Sequence, residues 1–189
     1  MLFLAALQTE PTVHPNGELE EFLIKVAAGD RDALAALYRR TRTAVYSLAL
    51  SYLKQHADAE DVTQNTFLRI WEHADQFRST GKAISWILAI TRNLSLMALR
   101  QRREEDLPPE DWDALPEKPS LAPEDRHILA VVLSALGDQE RQIVLLHAVT
   151  GLKHREIAAL LELPLSTVLS KYHRALKKLR EQLKGDETP

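Results

Sequence analysis

Scarce residue types restrict what this chain can be. Cysteine is absent from all 189 residues, which excludes disulfides, cysteine-ligated zinc fingers, iron–sulfur clusters and thiol catalysis. Glycine contributes only six residues, and no segment alternates apolar and polar residues as a half-buried strand would. No run approaches the roughly 20 apolar residues that span a bilayer, although hydrophobic residues make up 45 % of the chain and can fill a core. We therefore expect an all-α protein of the cytoplasm, without membrane insertion.

The charge is distributed unevenly along the chain. The formal net charge is −3, yet residues 1–103 carry +2, residues 104–125 carry −8 and residues 126–184 carry +5. The acidic stretch also holds five of the nine prolines, which disfavour helix, and its like charges extend the chain. A charge block of this kind is often only a solvated connector. The predicted parts are a flexible N-terminal arm (1–17), a helical domain (18–103), an extended acidic Pro-rich linker (104–125), a second small helical domain (126–184) and a tail (185–189).

The first domain has the pattern of a bundle of amphipathic helices. Asp30 or Asp32 can cap the second of these helices, and the loop before the fourth contains Ser79, Thr80 and Gly81. The aromatic residues of the third and fourth helices lie at helical spacing, which favours core packing for them. Apolar residues recur at helical spacing in four segments, Glu18–Ala28, about Ala33–Gln55, about Ala57–Ala74 and about Ala83–Arg103.

The second domain has the pattern of a helix-turn-helix. A short helix, His154–Leu161, is followed by a three-residue turn and by a cationic helix that reaches about Lys184. We expect Ser166 or Thr167 to cap that last helix. Upstream we expect a helix over 128–136 and another that is capped by Asp138 and ends at Gly151. The cationic helix fits a DNA major groove, although an ordinary helical packing unit with a solvated basic face shows the same pattern.

Three segments carry recognisable motifs. Residues 58–71 read DAEDVTQNTFLRIW, residues 81–93 read GKAISWILAITRN, and residues 140–180 contain the helix-turn-helix. The first fits the pattern D-A-E-D-x-x-Q-x-x-F-x-x-x-W. In this order, and on either side of an acidic linker, the three segments closely resemble regions 2 and 4 of bacterial RNA polymerase sigma factors of the extracytoplasmic-function (ECF) type, in the sigma-70 family. The resemblance covers about residues 18–184.

The resemblance implies a function and its partners. Such a protein binds core RNA polymerase, region 2 on the clamp helices of the β′ subunit and region 4 on the flap of the β subunit. Region 2 then captures the minus-10 promoter element and region 4 reads the minus-35 element. An anti-sigma factor is a further expected partner. No cofactor and no metal is implied.

The resemblance also implies three sets of site residues. The polymerase-binding set is Asp58, Glu60, Asp61, Gln64, Asn65, Leu68 and Trp71. The minus-10 set is Arg78, Ser79, Thr80, Lys82, Trp86, Asn93, Arg100, Arg102 and Arg103, with core packing as the competing role for Trp86. The minus-35 set is Arg155, Ser166, Thr167, Ser170, Lys171, Arg174 and Lys178.

Two residues depart from the family pattern. Met97 stands where relatives carry Asp or Asn, four residues after Asn93, and Leu169 replaces a Lys near the start of the recognition helix. Each departure removes a polar or cationic contact to DNA. Both therefore bear on which promoter is read more than on the function itself.

Other functions fit the sequence less well. A stand-alone helix-turn-helix regulator would leave the motif over residues 58–71 without a role, whereas a degenerate sigma-like protein would bind polymerase and read DNA poorly. An enzyme is not indicated, because the chain offers no nucleophile motif, glycine-rich loop or carboxylate pair at a convincing spacing. The histidines show no spacing typical of metal ligands.

Overall fold

A computed structural model describes residues 16–104 and 136–185. Residues 1–15 of the predicted arm, nearly all of the linker, the helix expected over 128–136 (except its last residue) and the end of the tail lie outside these ranges, whereas the last two residues of the predicted arm belong to the first helix. Every regular element within them is helical, which confirms the all-α prediction. The elements are α1 (Asn16–Ala27), α2 (Arg31–Leu53), α3 (His56–His73), a 3-10 turn (Ala74–Gln76), α4 (Ala83–Glu104), α5 (Asp138–Thr150), α6 (His154–Leu161) and α7 (Leu165–Gly185).

The helix ends follow local hydrogen bonding. Asp30 caps α2 as predicted, because its carboxylate accepts bonds from the amides of Asp32 and Ala33 at 2.9 and 3.0 Å. Gly151 ends α5 in the left-handed conformation that its position requires, with φ of 71°.

Two predicted caps are wrong. Gly137, and not Asp138, occupies the cap position of α5, because the carboxylate of Glu140 accepts the bond from the Gly137 amide at 3.2 Å. The Asp138 carboxylate instead contacts Arg141 at 2.9 Å. Helix α7 begins one residue before Ser166, because the carbonyl of Pro164 already accepts bonds from the amides of residues 167 and 168.

Helices α1 to α4 form the first bundle. Its centre is made of fully buried aliphatic side chains from every helix, including Leu19, Leu37, Ile70 and Ile87. Thr91 and other buried hydroxyls lie between the helices and donate to carbonyls three or four residues earlier, so that they are satisfied within their own helices. The loop between the 3-10 turn and α4 connects two helices of this bundle.

Helices α5 to α7 form the second unit, and it packs against the first. Leu145 of α5 is only 3 % exposed and lies in an apolar cluster with residues of α2 and α3, among them Leu50, Leu53 and Val62. Two ion pairs flank this contact, Lys54 with Asp138 at 3.4 Å and Arg92 with Glu162 at 3.1 Å. The described parts of the two predicted domains therefore share one apolar interface. No helix within 16–104 and 136–185 is long and apolar enough to cross a membrane.

Candidate protein and nucleic-acid interfaces

An open apolar groove of about 550 Å³ runs between α2 and α3. Leu34 and Tyr38 line it from α2, and Phe67, Leu68 and Trp71 line it from α3, with polar groups of residues 31 and 64 at its margins. Leu68 is 59 % exposed although it is a large aliphatic side chain. The Tyr38 ring packs edge-on against Phe67 at 4.7 Å, which fixes one wall. The groove brings together three members of the predicted polymerase-binding set, residues 64, 68 and 71.

The acidic members of that set differ in their surroundings. Asp61 is exposed, as is Asn65, whereas Glu60 is half-buried. Asp58 is in an ion pair with Arg102 at 3.3 Å, and Arg102 also donates to the side chain of Gln55 at 2.9 Å. Asp58 and Arg102 were predicted for two different partners, yet they bind each other. This pair holds the end of α4 against the start of α3.

The loop before α4 presents four of the predicted minus-10 residues to solvent. Arg78, Ser79, Thr80 and Lys82 are all exposed. The Ser79 hydroxyl, however, donates to the carboxylate of Glu20 in α1 at 2.5 Å, so its proton is directed toward the protein. The predicted set did not include Glu20, whose contact joins residues 59 positions apart and leaves no local sequence signal.

Helix α4 carries the rest of the minus-10 set. Asn93, Arg100 and Arg103 are exposed. Met97 is 61 % exposed, and its spacing places it on the same face of α4 as Asn93 and Arg100. The departure from the family pattern at Met97 therefore changes the surface and not the core. Trp86 is half-buried with its ring edge-on to Phe77 at 5.4 Å, which agrees with the packing role considered for it.

The start of α7 exposes polar side chains in the manner of a recognition helix. Ser166, Ser170 and Arg174 are exposed, while Thr167 and Lys171 are half-buried. The Ser170 hydroxyl donates to the carbonyl of Thr167 at 3.0 Å, within the helix. Arg155 is exposed on α6, the preceding helix of the helix-turn-helix. Leu169 lies on the exposed face as well, at 37 %.

Lys178 has a partner inside the protein. Its ammonium group contacts the carboxylate of Glu140 at 2.7 Å, and the Glu140 side chain is only 9 % exposed. Burial alone would raise the pKa of Glu140, but the hydrogen bonds from Lys178 and from the Gly137 amide, with the charges of Lys178 and Arg174, lower that pKa overall. Lys178 therefore ties α7 to α5, a role that the cationic pattern of the helix does not reveal.

A ring cluster forms the base on which α7 rests. His147 of α5 and His154 of α6 stack at 4.7 Å, and Tyr172 of α7 packs edge-on to both, at 5.1 and 4.5 Å. Burial lowers the pKa of His154, and the nearby His147 and His173 lower it further. The cluster holds no metal-binding group of three ligands, nor does any other part of the described chain.

Two family models match the chain, one in each helical unit. The family model described as Sigma-70 region 2 matches residues 37–105, and the model described as Sigma-70, region 4 matches residues 126–179. Together the two matches cover more than half of the chain. The chain belongs to the sigma-70 family.

Similar proteins show to which group of the sigma-70 family the chain belongs. The chain is 34 % identical over 183 residues to the ECF RNA polymerase sigma factor SigE of Mycolicibacterium smegmatis, covering 90 % of this chain and 70 % of SigE. It is 28 % identical over 177 residues to the ECF RNA polymerase sigma factor SigK of Mycobacterium bovis, covering 89 % and 95 %. The chain is thus an ECF sigma factor, which binds RNA polymerase and directs it to promoters, as the motifs predicted. A stand-alone regulator is not favoured.

Solved sigma factors share the fold. CnrH, in complex with the cytosolic domain of CnrY, matches with a TM-score of 0.62 and 25 % identity over 90 % of this sigma factor and 99 % of CnrH. RpoE of Bartonella quintana, in complex with the anti-sigma factor NepR, matches with a TM-score of 0.62 and 26 % identity over 79 % and 96 %. The region 2 match begins at residue 37, so α1 lies before it.

Proposed function

We propose that the groove between α2 and α3 is the surface on which this sigma factor docks the clamp helices of core RNA polymerase. The observation that carries this assignment is the exposure of Leu68 beside Tyr38 and Trp71. An apolar patch rimmed by polar residues on a small protein marks a protein-binding site, and an amphipathic helix is the occupant that such a groove fits. The exposed side chains of Asp61, Gln64 and Asn65 add polar contacts at the rim.

The same proposal divides the promoter between the two units. The exposed loop over 78–82 and the exposed face of α4 take the minus-10 element, with Arg100 and Arg103 on backbone phosphates. The start of α7 takes the minus-35 element in the major groove, because a helix end with short hydroxyl side chains and a following Arg174 reaches base edges and phosphates together. The family-model matches over residues 37–105 and 126–179 support domains close to 18–103 and 126–184.

The free energy needed to open promoter DNA supports a sigma factor that works only together with core RNA polymerase. Opening ten base pairs costs roughly 14 kcal/mol at about 1.4 kcal/mol per step. Stacking one or two unpaired bases on the protein returns only about 1–3 kcal/mol each. The sigma factor therefore selects the promoter and polymerase supplies the remaining free energy, so the sigma factor itself is not an enzyme. It works in the cytoplasm, where polymerase is, and the NepR-bound relative supports an anti-sigma protein as a regulator.

The test is reconstitution with core RNA polymerase. We expect run-off transcripts from a promoter library only when the sigma factor is present, and we expect Leu68→Glu to weaken binding to core polymerase at least tenfold. Ile24→Glu is the matched control, because Ile24 is an aliphatic side chain of α1 with 58 % exposure and does not line the groove. Sequence-specific DNA binding by the chain alone, without binding to core polymerase, would overturn the proposal.

A further inference from the structure

Most of the loop over residues 77–82 is not held by packing of its side chains. Phe77 packs against Trp86, but the side chains of Arg78, Ser79, Thr80 and Lys82 are exposed, so packing does not define their directions. A surface that must recognise particular bases needs those directions to be set before DNA arrives, since ordering them on binding reduces affinity. Contacts from outside the loop are therefore of interest.

The carboxylate of Glu20 binds the loop at two points. One oxygen accepts the Ser79 hydroxyl and the other accepts the Gly81 amide, both at 2.5 Å. Gly81 has a φ of 73°, and a Cβ there would meet nothing within 4 Å. The glycine is thus required by the backbone conformation and not by lack of space.

A second side chain of α1 binds the other side of the loop. The first amides of a helix have no partners within the helix. The side-chain oxygen Oδ1 of Asn16 accepts one of them, the amide of Ile84 in the first turn of α4, at 3.4 Å. Asn16 and Glu20 are four residues apart and share one face of α1, so both contacts come from one rigid element.

We propose that α1 sets the conformation of the promoter-capturing loop, with Glu20 as the positioning residue and Asn16 as its support. This inference rests on the proposed function of the loop and extends it, because α1 precedes the part of the chain that matches the region 2 family model. Neither residue needs to touch DNA. Their effect passes through the direction of the Gly81 amide and of the side chains beside it.

The ionisation of Glu20 agrees with this role. The bond from Ser79 lowers its pKa, partial loss of hydration opposes that shift, and the amides of Gly81, Lys82 and Thr80 lower the pKa further. The carboxylate is therefore charged at neutral pH and is bound as an anion by the loop. A charged acceptor forms the stronger class of hydrogen bond.

The test compares Glu20→Ala and Glu20→Gln with Glu21→Ala, a neighbouring exposed carboxylate on the same helix. Each full-length variant is combined with core RNA polymerase and transcribes a set of promoters in which every base of the minus-10 element is changed in turn. We expect Glu20→Ala to discriminate about fivefold less between the original base and the changed base at one or more positions. A change of this size corresponds to one net hydrogen bond. Glu20→Gln, which keeps one acceptor, should lose less, and Glu21→Ala should match the unaltered chain.

Amide hydrogen exchange of the free protein gives an independent readout. We expect the Gly81 amide to exchange about fivefold faster in Glu20→Ala than in Glu21→Ala, with α2 and α3 unchanged. If Glu20→Ala keeps both the discrimination profile and the exchange rate, the inference is wrong while the proposed function stands. If the unaltered chain gives no promoter-specific transcripts with core polymerase, the proposed function has failed first.

Discussion

The two surfaces proposed to contact DNA are built in different ways. The minus-35 surface is the start of α7, whose backbone bonds to itself from the Pro164 carbonyl onward and whose inner face is buried through Val168 and Tyr172. The minus-10 surface includes a loop whose conformation depends on side chains of α1, about 60 residues earlier in the chain. A helix positions its own side chains, whereas a loop relies on another element to do so.

The difference predicts where each surface is vulnerable. The recognition helix should fail when the core beneath it is damaged, because its geometry follows from packing. The loop should fail through single polar or backbone changes that leave the core intact. Substitutions can therefore separate the two surfaces.

The largest effect is expected for Tyr172→Ala. This side chain is buried and supports the stacked histidines, so its loss should lower the free energy of unfolding by about 3–5 kcal/mol, as for other buried aromatic residues. Urea unfolding measures it, and promoter assays should show loss of minus-35 dependence before loss of minus-10 dependence. Tyr172→Phe keeps the ring and serves as control. A Tyr172→Ala protein as stable as Tyr172→Phe would show that the cluster does not support α7.

A smaller effect, confined to the loop, is expected for Gly81→Ala. The positive φ of 73° disfavours an L residue by about 1–2 kcal/mol, which should weaken the loop conformation and reduce minus-10 discrimination. Gly17→Ala is the control, because Gly17 lies within α1 without a positive φ and with space for a methyl group. Equal discrimination by the two variants in the transcription assay would contradict the dependence on backbone conformation.

A fall in pH should weaken the minus-35 surface before it weakens the minus-10 surface. The folded pKa of His154 lies below its ordinary 6.5, so as the pH falls below 6.5 the unfolded chain binds a proton that the folded chain does not, and stability is lost until the lower folded pKa is passed. The pKa of Glu20 lies below its ordinary 4.5, so the loop contact is present above 4.5 and is lost only as the pH falls through that lower value. Region 4 should therefore weaken first.

Urea unfolding at pH 7.5 and pH 5.5 tests the order. The midpoint should fall between these values in the unaltered chain and fall less in His154→Asn, while the exchange rate of the Gly81 amide, corrected for the intrinsic pH effect, stays unchanged. An equal fall in both proteins would assign the pH dependence to other groups.

The smallest effect is expected for Leu169→Lys. The added cation on the exposed face of α7 should contribute one phosphate contact and steepen the salt dependence of minus-35 binding by about 0.9 in log–log slope. Ile24→Lys adds the same charge on α1 and should leave that slope unchanged. Identical slopes for the two variants would place position 169 away from the DNA backbone.

Local sequence patterns predicted the helices and the family, but they did not predict which side chains bind each other across helices. Helical periodicity and the Asp30 cap act within a few residues, so they were readable. Lys178 and Arg102 look like exposed DNA-binding cations in sequence, but Glu140 and Asp58 bind them across helices. The contact of Glu20 with the loop and the contact of Leu145 with the first bundle were missed for the same reason, because they join distant segments and leave no periodic pattern.

The position of Leu145 has a consequence for how the protein melts. Since this side chain belongs to region 4 but is buried among residues of α2 and α3, neither unit can unfold without exposing apolar surface of the other. Full burial of a leucine stabilises by about 1.5–3 kcal/mol, a large share of the stability of a small domain. The two units are thus coupled energetically through this contact, and complete unfolding of either one lowers the stability of the other.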